Sequence, residues 1–293
     1  MTSIDYRKQR TIKREAIYSG IGIHTGKIVN LRLCPAKEGT GVVFKRVDVM
    51  GTPIIPATVE YVCDTRRSTS IGVGDVVIHT VEHVLAAIRA FGIDNVIIEV
   101  DGIEPPVGNG SSDVFVELIE EAGTEDQDAK IPVIKLEEPV YYSEGDISIV
   151  AIPDDCYRIS YTLNYPESRI LRSQFHTVVI NKDNFKKEIA PCRTFSQYEE
   201  IAPLIERGLI KGGSLDNAVI IKDDAVFSKN GLYFPDEMVR HKILDMVGDL
   251  SLVGFDFHAH VIALRSGHHT NVAFAKKILN VLSVEKIHEF QSV

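Results

Sequence analysis

The sequence predicts an α+β protein of two similar domains, each a layered sheet carrying two helices, packed face to face with a site in the cleft between them. Three observations lead there. The order helix, strand, loop, helix occurs once in each half of the 293-residue chain. Most of the remaining sequence is strand-like. A polar, glycine-containing stretch at 122–130, followed by Pro132, divides the two halves. The expected organisation is domain I over 1–123, a linker over 124–131 and domain II over 132–293, the last with an insert at about 195–222.

In the first half, residues 79–91 read as an amphipathic helix with Val81, Val84, Leu85, Ile88 and Phe91 on one stripe, ended by Gly92. A strand over 95–100, a loop and a helix over 112–121 follow. In the second half, a helix through His241 ends near Gly254 and leads to a strand over 257–264, a loop over 265–269 and a helix over 270–282. Further strand signals lie at 28–33, 42–44, 76–78, 147–152, 157–163, 174–179 and 218–221. Gly20-Ile21-Gly22 is followed by strand sequence and lacks a correctly spaced third glycine, so it is no dinucleotide loop.

Composition narrows the function. With 44% hydrophobic and 25% charged residues the chain falls in the soluble globular class. A net charge of −9 argues against a nucleic-acid partner. Residues 1–15 lack the apolar core that a secretory signal needs, and no run of about 18 apolar residues is present to span a membrane. Cys34, Cys63, Cys156 and Cys192 are widely spaced, which fits reduced thiols in the cytoplasm. The expectation is a cytoplasmic monomer.

The strongest local signal is Arg240-His241-Lys242-Ile243-Leu244-Asp245-Met246-Val247-Gly248-Asp249. At 100° per residue, His241, Asp245 and Asp249 fall within about 80° of arc, opposite Val239, Ile243, Met246, Val247, Leu250 and Val253. Imidazole and carboxylate at this spacing can share a metal ion, though a solvated helix face gives the same pattern. Glu82 and His83 form a second pair, off their helix's apolar stripe and beside Ala86 and Ala90. Alanines there suggest a packed or cavity-facing side, and an adjacent Glu-His can divide the labour of base and ligand.

T-V-E-H at 80–83, R-H-K-x-L-D-x-x-G-D at 240–249 and S-G-H at 266–268 resemble the zinc-dependent UDP-3-O-acyl-N-acetylglucosamine deacetylases of lipid A biosynthesis in Gram-negative bacteria. So do G-I-G-I-H-T-G at 20–26, G-I-D-N at 92–95, C-R-T-F at 192–195 and G-G-S-L-D-N-A at 212–218. The seven motifs occur in order from about residue 12 to about residue 285. One departure is Asn109, where the family's P-x-x-D-G-S segment has an aspartate.

The resemblance implies one Zn2+ per chain and an acylated UDP-sugar as substrate, whose acetamide is hydrolysed. His83, His241 and Asp245 are the expected ligands, leaving a fourth position open, as catalytic zinc sites do. Water on such an ion ionises near pH ~7. Glu82 beside a ligand is the candidate general base, its charge favoured by the helix's first turn. Asp249 is placed to hold His268, which the family uses as electrophile or general acid; either Glu82 or His268 could protonate the leaving amine. The resemblance also implies that Thr194 bonds the oxyanion and Phe195 stacks on the sugar. Lys242 and Arg265 are candidates for the diphosphate.

An acyl chain needs an apolar passage. Tyr198, Ile201, Ala202 and Ile205 at helical spacing, followed by Ile210 and 218–221, could wall one, although core packing fits the periodicity equally well. Pro203 implies a kink or an early break in that helix. Two histidines and a carboxylate also bind iron(II) in oxygenases, but helical ligands with an adjacent glutamate disfavour that reading. His24, His79, His176, His258, His260, His269 and His288 are read as ordinary structural or surface histidines.

Overall fold

The computed structural model describes residues 4–290. The first half contributes β1 (Ile4–Ile12), β2 (Ala16–Ile21), β3 (Ile28–Pro35), β4 (Val42–Arg46), β5 (Ile54–Pro56), β6 (Val62–Asp64), β7 (Ser70–Val73), β8 (Val76–Ile78), α1 (Glu82–Ala90), β9 (Val96–Val100) and α2 (Asp113–Ala122). The second contributes β10 (Thr124–Lys135), β11 (Val140–Glu144), β12 (Ile147–Ile152), β13 (Tyr157–Tyr165), β14 (Arg172–Val179), the short α3 (Lys182–Asn184), β15 (Phe195–Gln197), α4 (Tyr198–Glu206), β16 (Val219–Lys222), β17 (Ala225–Phe227), α5 (Glu237–Ser251), β18 (Asp256–Leu264) and α6 (His268–Phe290). The fold is α+β, as the sequence predicts.

Each half builds a sheet around the strand that follows its inner helix. In the first, the order is β2-β3-β9-β4-β5, with β6-β7-β8 as a small separate sheet. In the second, β18 pairs with β10, β12 and β13 in a seven-stranded sheet. The insert forms its own three-stranded sheet, β15-β16-β17. The inner helices α1 and α5 pack on each other.

Gly248 shows how closely. A Cβ there would lie 2.1 Å from the Glu82 carbonyl oxygen, so the glycine of the 240–249 motif is what lets the two helices approach. Val239, Ile243, Met246, Val247 and Leu250 are buried on the far side of α5, as the periodicity requires, and Val253 just beyond its end is buried too. His241, Asp245 and Asp249 are buried as well. The solvated-face reading of that line is therefore excluded.

The two halves also meet where each helix–glycine turn enters its strand. Arg7 bonds Asp94 through both terminal nitrogens at 2.7 Å and reaches Asp256 through Nε at 2.6 Å. Arg89 pairs with the same Asp256. One arginine from β1 thus clasps equivalent aspartates of the two repeats.

The local expectations need three corrections. Residues 124–131 are no loose linker: they lie in β10, paired antiparallel with β1, so the first strand of the chain joins the second half's sheet. The stretch reads as polar because much of this ladder faces solvent, with Lys8 bridging Asp128 and Arg10 bridging Asp126. Helix α1 begins at Glu82 and not near His79, since Thr80 has φ +56, outside the helical region. Pro203 does not break α4, which runs on to Glu206; in a nine-residue helix a proline removes one backbone bond.

Candidate metal and catalytic site

His83 stands in the first turn of α1, and His241 and Asp245 one turn apart on α5, so the packing of the two helices creates the group. The His83 and His241 rings meet edge to face with centroids 5.1 Å apart. Asp245 Oδ1 lies 3.3 Å from His241 Nε2 and 3.7 Å from His83 Nε2. Nitrogen and oxygen ligands about 2.0–2.1 Å from a tetrahedral ion lie roughly 3.3–3.4 Å from one another. The three donors fit one metal ion, and among the described residues they form the group able to hold one.

The surroundings prepare each donor. His241 Nδ1 bonds the Cys192 carbonyl at 3.0 Å, which fixes that nitrogen as the N–H and turns Nε2 towards Asp245. Burial pushes the His241 pKa down to about 4, giving the neutral ring that binds metals. Burial pushes Asp245 the other way, but Lys242 and His241 outweigh it and hold the carboxylate well below its ordinary range. Lys242 Nζ bonds Asp245 Oδ2 at 2.7 Å, leaving Oδ1 facing His83 and His241. Lys242 is therefore an ion-pair partner of Asp245 as well as a residue of the cavity wall.

Glu82 is buried, and its carboxyl is pushed up by burial, with partial relief from His268. Loss of solvent thus opposes the influence of the helix N-terminus on this carboxyl. His268 Nε2 lies 3.9 Å from Glu82 Oε1, and His268 Nδ1 bonds Asp249 Oδ2 at 2.9 Å, the pairing expected from sequence. Burial works against a charged His268, yet Asp249 and Glu82 outweigh it and push its pKa up to about 9. His268 is the first residue of α6, not part of a loop.

Glu82, His83, His241, Lys242, Asp245 and His268 line one cavity of about 670 Å³, with Asp249 behind them. Thr194 and Phe195 also face it, with the Phe195 ring 6.4 Å from that of His241. The cavity continues between Ile201, Ile205, Ile210, Leu215, Ala218, Ile220 and Phe227 of the insert, an apolar arm leading away from the polar centre. Arg265 is exposed at φ +57 and is not among the lining residues. His269 is exposed beside Glu144, and the His288 side chain lies outside the described residues.

Several contributors carry no sequence signal of their own. Thr69 and Asn271 are buried donors to Asp249, at 2.5 and 2.9 Å. Ser112 Oγ donates to the His83 carbonyl at 2.6 Å. Asn109 accepts from the Ser111 N–H and hydroxyl, shaping the turn before α2. At the adjacent Gly110, φ is +84 and a Cβ would lie 1.9 Å from the Asn217 carbonyl oxygen. The loop carrying the departure therefore braces the insert, and Thr194 donates its N–H to Gly110.

Fold and site together define an α+β protein with a His2Asp group able to hold a metal ion and, in the same cavity, Glu82 and His268, the latter held from behind by Asp249. Residues 9–280 match the family described as LpxC: UDP-3-O-acyl N-acetylglycosamine deacetylase, and the chain belongs to that family. A UDP-3-O-acyl-N-acetylglucosamine deacetylase of Chlamydia abortus is 53% identical over 276 residues, covering 94% of this chain and 98% of the relative. Those of Chlamydia pneumoniae and Chlamydia trachomatis serovar L2 are 53% and 49% identical, over 95% and 96% of this chain and 99% and 98% of theirs. No described helix is long and apolar enough to cross a membrane.

Proposed function

We propose that this protein hydrolyses the N-acetyl group of UDP-3-O-acyl-N-acetylglucosamine, releasing acetate, as a zinc enzyme and as the committed step of lipid A biosynthesis in the cytoplasm. The observation that carries this reading is the joining, in one cavity, of the His83–His241–Asp245 group to an apolar arm able to take an acyl chain. The names of the relatives support the substrate. Acetate release from the acylated UDP-sugar, measured together with metal content, tests it; intact substrate with fully metallated protein would overturn it.

His83, His241 and Asp245 would hold the ion. When bound, zinc supplies Lewis acidity, bringing water's ionisation near neutral pH and polarising the amide carbonyl. Glu82, adjacent to a ligand and raised by burial, takes the proton of the attacking water. Thr194 faces the same space and offers a hydrogen bond to the oxyanion. His268, whose pKa is pushed up to about 9, acts as acid and gives its proton to the leaving amine, with Asp249 favouring the charged ring and aiming it. Phe195 stacks on the sugar, and Lys242 keeps Asp245 ionised.

The pH dependence follows. His268 is raised above its ordinary 6.5, so its ion pairs stabilise the protein fully below about 6.5 and are lost as pH rises through about 9. Turnover should decline above pH about 9, and Asp249→Asn should move that decline to lower pH. A kcat–pH profile with the same basic limb in both proteins would take His268 out of the acid role.

The passage gives a further expectation. Ile201 lines the apolar arm, so Ile201→Trp should shift the preferred acyl length downward. Competition between substrates of different chain length measures this, and an unchanged ranking would place the acyl chain elsewhere.

A further inference from the structure

We propose that Thr69 is a positioning residue that ties the Glu82 and Asp249 carboxylates together across the seam between the two halves, and so sets the alignment of Glu82 with His268. The proposal rests on the roles given above to Glu82 and His268. Thr69 immediately precedes β7 and is completely buried. Its backbone N–H donates to Glu82 Oε2 at 3.0 Å, and its hydroxyl donates to Asp249 Oδ1 at 2.5 Å. Its carbonyl accepts the Val81 N–H at 3.2 Å, just ahead of α1. One residue thus binds the base of the first half and, through its side chain, the histidine-holding carboxylate of the second.

The geometry divides the oxygens by task. With Oε2 held by Thr69, Glu82 keeps Oε1 towards His268. Asp249 is claimed on both sides: Oδ1 by the Thr69 hydroxyl, Oδ2 by His268 Nδ1 and Asn271 Nδ2. A carboxylate gripped at both oxygens cannot rotate, so the His268 ring it holds is fixed as well. The β-branch narrows the χ1 choices of Thr69, which aims the donor in advance. Valine would keep that shape and the backbone bonds to Glu82 and Val81, removing the Asp249 arm alone.

Thr69→Val and Thr69→Ser, each made in the wild-type and His268→Gln backgrounds, test this through kcat, KM, bound metal and thermal midpoint. Thr69→Val should lower kcat by about 10- to 100-fold with KM and metal content little changed, and Thr69→Ser should recover most of the loss. In the His268→Gln background the Val substitution should cost nothing more, because its effect passes through that ring. Wild-type kcat in Thr69→Val, or the same fractional loss in both backgrounds, would overturn the proposal. Should Thr69→Val not fold, Thr69→Ala carries the same comparison. If wild-type protein itself releases no acetate, the proposed function fails instead. A crystal structure of the Val variant then decides the positioning claim: a displaced His268–Asp249 pair is expected, and an unmoved one would overturn it.

Discussion

Replacing Glu82 with glutamine should lower kcat by about 10²- to 10⁴-fold, the range a positioned general base supplies, while the protein still folds and binds its metal. Glutamine keeps an oxygen for the Thr69 N–H and has nearly the same volume, so the packing of α1 on α5 is retained. The stability change has a definite sign. A carboxyl whose pKa is raised on folding subtracts stability as pH climbs past its ordinary 4.5. Removing that buried charge should leave the neutral-pH melting temperature equal to or above that of wild type. Calorimetry, metal analysis and acetate release on one preparation separate the effects. Full activity in the glutamine variant would remove Glu82 as the base.

Stripping the metal should have a larger effect still. With the ion chelated, deacetylation should fall to background, and stoichiometric zinc should restore it; persistent turnover by metal-free protein would overturn the metal-dependent reading. Stability should follow as well. A ligand that binds only the folded state adds about 2.7 kcal/mol at 100 times its Kd, so the melting temperature should rise with free zinc. His83→Ala should abolish both responses, because the two remaining donors both lie on α5 and no longer join the helices. Asp245 stays charged without the metal, since Lys242 holds it there, so the empty site should not collapse by neutralisation.

The group able to hold a metal ion was legible because a helix converts spacing into direction. His241, Asp245 and Asp249 share a face whatever surrounds them, and the alanines beside Glu82 and His83 marked a packed side. The reading stopped where partners lie far apart in the chain. Thr69 and Asp249 are 180 residues apart, and no local pattern announces a threonine whose hydroxyl will meet a distant carboxylate. Residues 124–131 were misread for the same reason: their ladder partner is the N-terminal strand, and an exposed ladder looks polar, like a linker. The bond from Lys242 to Asp245 carried no signal of its own, because it depends on the packing around both side chains. The burial that raises the Glu82 carboxyl was equally invisible in the sequence, which shows only the helix end.

By itself the sequence determined the two helix-borne donor sets, the duplicated helix–strand order that places them alike in each half, and the apolar insert beside them. Tertiary structure alone decided that the two sets face one another, that Asp245 presents one oxygen while Lys242 occupies the other, and that Thr69 joins Glu82 to Asp249. The physical reason is range. Helical periodicity is fixed by local backbone geometry, whereas desolvation and hydrogen bonding between the halves exist only once α1 and α5 close on each other.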